Sequence, residues 1–179
     1  MTTYLFPDNT VLCNFASVER LDLLQTVLNG RGRWTSAVAY EASRSAPFLP
    51  ALKSITVDGW LGEPIEITSD VEIRRVDQVR RAVFGGTDDE PLKHLGEAET
   101  CFLIKERAEF AESWWLSDDQ EAVRYARFQH ITTYETLDLM TIAVVNGDIV
   151  AQQAYDLMLA MADKGRNLRL PSSARELEG

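Results

Sequence analysis

Strands alternating with helices along 179 residues predict one α/β domain: a single α/β/α sandwich around a mostly parallel central sheet. Two observations carry that expectation. The apolar runs Tyr4-Leu5-Phe6 and Trp114-Trp115-Leu116 suit short strands buried on both faces. Each is followed by acid and then by helical periodicity, Asp8 after the first and Asp118-Asp119 after the second. Carboxyl ends of strands are where open α/β sheets place their chemistry.

The bulk numbers set bounds. The chain is 45% hydrophobic and 26% charged, ordinary for a globular protein with a real core. No apolar run approaches the ~20 residues that span a bilayer, and no basic region followed by an apolar stretch marks a secretory leader. A cytoplasmic protein without membrane contact is expected. Cys13 and Cys101 have no metal-ligand spacing and form no disulfide framework; each sits in an apolar pattern as a small hydrophobe. His94 and His130 are too few and too far apart for a zinc site or a triad. The formal net charge of −10 argues against coating nucleic acid by bulk electrostatics. It leaves room for an acidic cluster that gathers cations.

Taken in order, the opening strand ends at Asp8 and turns through Thr10 and Asn14. Ser17 then reads as the N-cap of a helix carrying Val18, Leu21, Leu24 and Leu28 on one face, stopped by Asn29-Gly30. Arg33-Trp34-Thr35 reads as extended, and a helix from Ser36 to about Arg44 carries Glu41. Pro47, Pro50, Gly59, Gly62 and Pro64 divide the next stretch into short extended pieces, including Ile65-Glu66-Ile67. A helix from about Asp70 to Phe84 concentrates Arg74, Arg75, Arg80 and Arg81; such groups are usually solvated surface, and contact with a polynucleotide is the functional alternative. Gly96 opens a helix bearing Glu97 and Glu99 in its first turn, where the dipole favours acids.

After Trp114-Trp115-Leu116, a helix runs from Gln120 to about Phe128 with Arg124 one to two turns in. Ile131-Thr132-Thr133 reads as a strand. Glu135–Val145 and Ile149–Lys164 read as helices split at Asn146-Gly147-Asp148. Leu168-Arg169-Leu170 is a candidate last strand, and 171–179 a short helix or a frayed tail.

Four acidic positions stand out: Asp8, Glu41, Glu97 and the pair Asp118/Asp119. Carboxylates gathered at one sheet edge repel one another unless cations neutralise them. Oxygen-only ligands select Mg²⁺ or Mn²⁺, which activate water and stabilise in-line displacement at a phosphodiester. Thr10 and Asn14 are expected to orient Asp8 by hydrogen bonds.

These stretches resemble the motifs of PIN-domain nucleases. Asp8-Asn9-Thr10-Val11-Leu12-Cys13-Asn14-Phe15 is similar to their opening motif, an Asp followed two residues later by Ser or Thr. Thr35-Ser36-Ala37-Val38-Ala39-Tyr40-Glu41 resembles the second, Leu95-Gly96-Glu97-Ala98-Glu99-Thr100 the third, and Ser117-Asp118-Asp119-Gln120-Glu121-Ala122-Val123-Arg124 the fourth. The ordered set is more specific than any one motif. It implies a PIN-like domain over 1–170, with 45–91 as a family-variable insertion bearing the basic helix and 171–179 as a C-terminal tail.

The resemblance also implies a Mg²⁺/Mn²⁺-dependent endoribonuclease of the VapC-like toxin kind. Asp8, Glu41, Glu97 and Asp118 or Asp119 would hold the metal, with Asp119 favoured by the family's Thr-x-Asp form. Thr10, Asn14 and Arg124 would support them. Partners implied are RNA, a cognate antitoxin and a second copy in a homodimer, for which Tyr155, Leu157, Met158, Leu159 and Met161 of the late apolar helix offer a surface if the core does not take them. The alternative is a PIN-like binding or regulatory module without turnover. A haloacid-dehalogenase-type phosphatase is disfavoured because Thr10 stands where its second Asp is needed.

Overall fold

The computed structural model describes residues 3–179. Strand β1 (Leu5–Pro7) pairs in parallel with β2 (Trp114–Leu116), and β2 with β3 (Thr133–Tyr134), giving a three-stranded parallel sheet in the order β1-β2-β3. Single parallel rungs extend it beyond β1, Leu5 to Gly32 and Thr35 to Ile65. The segments expected to be extended at 33–35 and 65–67 therefore pair with each other, through the single rung from Thr35 to Ile65 rather than as full strands.

Nine α-helices occur among the described residues: α1 (Asn9–Ser17), α2 (Leu21–Leu28), α3 (Ser36–Ser45), α4 (Lys53–Asp58), α5 (Asp70–Ala82), α6 (Leu95–Glu106), α7 (Gln120–Phe128), α8 (Thr136–Val145) and α9 (Ala151–Asp163). The protein is a mixed α/β fold. Alternate strand residues feed two apolar clusters, as the period of two requires. Leu5 and Leu116 join the larger cluster, with Leu12 and Phe15 of α1, Leu24 of α2, Met140 of α8 and Met158 and Met161 of α9. Phe6 and Trp115 join the smaller one, with Val76 of α5, Phe102 and Leu103 of α6 and Ala126 of α7. Each large side chain removed from water in this way contributes about 1.5–3 kcal/mol. No helix among the described residues is long and apolar enough to cross a membrane.

Four expectations are corrected. The helix after β1 begins at Asn9, not beyond Ser17, because the Asp8 side chain accepts from the Val11 N–H and caps it at once. Ser17 ends α1, and its hydroxyl donates to the Asn14 carbonyl. Part of the proline- and glycine-broken stretch is helical, a 3₁₀ turn at Pro50–Leu52 running into α4, because Leu52 and Ile55 recur at helical spacing and bury against the larger cluster. Leu168–Leu170 forms no strand: Arg169 lies within 3.7 Å of the Glu135 and Asp138 carboxylates, and the chain ends in a 3₁₀ turn, Ala174–Glu178, whose Leu177 is fully buried in the larger cluster. Residues 171–179 are docked rather than frayed. Of the late apolar helix, Met158 and Met161 belong to the core while Leu159 is partly exposed.

Candidate functional site: carboxylates at the end of the first strand

Asp8 follows β1 directly, and its backbone N–H donates to the Leu116 carbonyl of β2. Its side chain is buried. Oδ1 accepts from Thr10 Oγ1 at 2.6 Å and from Val11 N at 3.0 Å, while Oδ2 accepts from the Ser117 hydroxyl. Three of about four acceptor positions on the carboxylate are thus taken, leaving one open. Burial pushes its pKa from 3.8 up to about 7; the bonds from Ser117, Thr10 and Val11 pull downward, and the Asp118 charge adds to the rise. Cap and candidate ligand are the same residue.

Glu41 stands on α3, in its second turn, facing the start of α6. Burial, then the charges of Glu97, Asp8 and Glu99, raise its pKa from 4.5 to about 8, opposed by the Gly96 backbone N–H. That N–H lies in the first turn of α6, where helix geometry leaves donors without internal partners. Gly96 leaves room for the approach: a Cβ there would stand 3.0 Å from Glu41 Oε1 and 3.1 Å from Val38 Cγ2. Glu97, one residue on, stays half-buried with His94 Nδ1 at 3.4 Å from its Oε1. Glu99 has a different role. It is buried, and its Oε2 accepts from the Ala37 N–H of α3 at 3.0 Å. Burial raises its pKa against the bonds from Ala37, Thr35 and Ser36. Helices α3 and α6 therefore exchange carboxylates at their N-terminal turns, which holds Glu41 where it feels the charges of both Glu97 and Asp8.

The two acids after β2 divide their work. Asp118 is buried; Oδ1 accepts from the Thr136 N–H at 3.0 Å, and Oδ2 accepts from Asn14 Nδ2 at 2.8 Å and from the Thr136 hydroxyl. Burial raises its pKa, those bonds lower it, and Glu135 adds to the rise. Asp119 is half-buried and caps α7, with Oδ1 accepting from Glu121 N at 2.8 Å and Ala122 N at 3.0 Å. Its Oδ2 takes no donor among the described residues.

Of the expected supports, Thr10 does orient Asp8, and its oxygen also accepts from the Asp118 N–H at 3.2 Å. Asn14 does not touch Asp8. It faces the other way along α1, holding Asp118 and Thr136 and accepting from Arg166 Nε at 3.0 Å. Arg124 is exposed on α7 and makes no hydrogen bond to the acids among the described residues. Ser117, Thr136 and Arg166 hold the site and were not anticipated. Only Ser117 left a trace in the sequence, as a hydroxyl between a strand end and two acids.

The basic helix α5 packs on α6. Arg80 is buried, with its guanidinium bonded to Asp77 and to the Thr87 and Glu90 carbonyls, so it holds the 83–93 loop and presents no free charge. Arg75 pairs with Glu106, and Arg81 with Asp77 and Asp88. Arg74 is exposed without an ion pair among the described residues.

None of Asp8, Glu41, Glu97, Asp118 and Asp119 pairs with Lys or Arg among the described residues. The donor set is all oxygen and no Lys or Arg neutralises it, which suits a hard divalent cation. The acids do not form a closed shell: among the described residues, no group of three or more His, Cys, Asp or Glu stands close enough to hold a metal ion. Mg²⁺ requires no such shell, since it keeps several waters and takes one or two carboxylates. Compared with family models, with curated proteins and with solved structures, the chain matches none.

Proposed function

We propose that this protein is a PIN-like, divalent-cation-dependent nuclease that hydrolyses phosphodiesters in RNA. One observation carries the reading: Glu41 stands under the charges of both Glu97 and Asp8, and none of the three pairs with Lys or Arg among the described residues. Such a cluster is costly unless a cation completes it. Asp8, Glu41 and Glu97 would hold Mg²⁺ or Mn²⁺, completed by Asp118 or Asp119; the free Oδ2 favours Asp119. When bound, the cation supplies Lewis-acid activation of water and charge stabilisation at the phosphodiester.

The chain's own residues prepare that site. Thr10, Ser117 and the Val11 N–H fix the Asp8 carboxylate and leave one lone-pair direction free. Gly96 lets Glu41 approach α6 and aims a backbone N–H at it. Burial and the charges of Glu97 and Asp8 raise the Glu41 pKa to about 8, so its carboxyl holds a proton at neutral pH, and a bound cation would favour the ionised form. A toxin role, with an antitoxin covering the acids and a homodimer of the nuclease, extends the same proposal.

The test is cleavage of single-stranded RNA by purified protein in Mn²⁺. Activity that disappears with excess EDTA, and in Asp8→Asn, supports the reading; equal cutting with EDTA present overturns it. A binding module without turnover is the second reading, favoured by the absence of a three-ligand group among the described residues. It expects no cutting in either buffer.

A further inference from the structure

A cleft of about 720 Å³ opens beside the acids, between the last turns of α1 and α3 and the residues that follow α9. Arg44, Lys164 and Arg166 line it, and Glu19 is the one acid among its lining residues. That local excess of positive charge occurs on a chain of formal net charge −10. Arg44 is exposed and makes no ion pair among the described residues. Lys164 Nζ donates to the Ser17 carbonyl at 2.6 Å and Arg166 Nε to Asn14 Oδ1 at 3.0 Å. Both acceptors are neutral, so they position the two cations without cancelling their charge. Phe48 stands on the same cleft, 85% exposed, the most exposed large apolar side chain among the described residues.

The cleft is built on the same helices, α1 and α3, that carry Asp8 at a cap and Glu41 on a face. Glu41 lies three and four residues before Arg44 and Ser45 on α3, so all three share a helix face. Asn9, next to Asp8, donates from Nδ2 to Ser45 Oγ at 3.3 Å. The Cys13 thiol, which lines the cleft, feels Arg166, Asp8 and Glu41 together. Carboxylates occupy one end of this track, and cations with an aromatic ring occupy the other.

We infer that the cleft is a subsite for single-stranded polynucleotide flanking the bond to be cut: Arg44, Lys164 and Arg166 take phosphates, and Phe48 stacks an unpaired base. The inference rests on the nuclease reading for what happens at the acidic end of the track; the binding itself does not require cleavage. Phosphates are drawn to a fixed group of cations even on an acidic protein. An unpaired base offers its face to an aromatic ring whatever its sequence. A duplex keeps its bases stacked on one another and offers Phe48 nothing. An acidic peptide supplies charge but no such face.

The experiment is fluorescence anisotropy of a labelled ten-nucleotide single-stranded RNA of mixed sequence, in EDTA so that no metal-dependent cutting intervenes. Arg44 and Phe48 are exposed, so Arg44→Glu and Phe48→Ala leave the core intact. Phe48→Ala is expected to weaken binding about tenfold. Arg44→Glu is expected to weaken it at least as much at low salt and to flatten the salt dependence. A duplex of the same sequence should bind more weakly than the single strand. Wild-type affinity in both variants, or equally effective competition by a ten-residue glutamate peptide, overturns the subsite. RNA binding that depends on Phe48 and Arg44 without cutting in Mn²⁺ removes the nuclease reading and keeps the subsite; cutting with affinity unchanged in both variants does the reverse.

Discussion

Asn14 Nδ2 donates to Asp118 Oδ2 at 2.8 Å, joining α1 to the end of β2 across 104 residues of sequence. The same amide accepts from Arg166, so one buried side chain ties the acid behind Asp8 to the basic cleft. Asp118 has donors on both carboxylate oxygens, one of them an amide from α1, whereas its neighbour Asp119 keeps one oxygen without a donor among the described residues.

The two acids should separate in mutation. Asp118→Asn turns an amide N–H toward the donors of Asn14 and Thr136, and should cost about 2–3 kcal/mol of stability in urea unfolding. Asn is a good N-cap, so Asp119→Asn should stay within about 0.5 kcal/mol of wild type. Its loss should appear in Mn²⁺ affinity instead. Equal stability of the two variants would contradict the division of roles.

Gly96→Ala tests the approach of α3 to α6. The new Cβ meets Glu41 Oε1 at 3.0 Å and Val38 Cγ2 at 3.1 Å, tighter than most real contacts. Because Ala otherwise favours a helix interior, the expected stability change is small, about 1 kcal/mol of loss at most. RNA cleavage should fall by about tenfold or more, since Glu41 must move from its place beside Asp8. An unchanged rate would show that Glu41 need not approach Gly96.

Arg80 and Arg74 share α5 but not a role. Arg80→Ala strips a buried guanidinium from Asp77 and from the carbonyls of Thr87 and Glu90, and should destabilise by about 2–4 kcal/mol. Arg74→Ala, on the exposed face, should change stability by less than about 0.5 kcal/mol. Thermal unfolding of the two variants side by side decides it.

Much of the fold was legible because apolar periodicity and acid-after-strand patterns are local. The helices at 36–45, 70–82, 95–106, 136–145 and 151–163 follow them, and α7 matches its expected span, Gln120 to Phe128. Prolines misled at 45–64, because Pro50 opens a 3₁₀ turn as readily as it ends a helix. The candidate ligands Asp8, Glu41 and Glu97 could be read from sequence, since each sits at a strand end or on a helix. Their supports could not. Thr136 and Arg166 reach Asp118 and Asn14 only after the chain has folded back over more than a hundred residues in the second case, and nothing in their own neighbourhoods marks them.

Stability should fall as pH rises. Asp8 and Glu41 have folded pKa values of about 7 and about 8, above their ordinary 3.8 and 4.5. The folded chain then binds more protons than the unfolded one across that window, so the stability present below about pH 4 is lost as pH climbs through 7 to 8. The loss is on the order of 2–4 kcal/mol for buried Asp8 and smaller for half-buried Glu41. Urea midpoints in EDTA at pH 5 and pH 8.5 check it. Asp8→Asn should flatten the difference, and Mn²⁺ should restore stability at pH 8.5.

Titration calorimetry of Mn²⁺ into wild type and Asp8→Asn at pH 8, where Asp8 is mostly ionised, addresses the cation site most directly. Saturable binding to wild type, weakened at least about tenfold in Asp8→Asn, is the expected result. No binding at millimolar Mn²⁺, or equal binding to both proteins, would contradict a cation site built on Asp8.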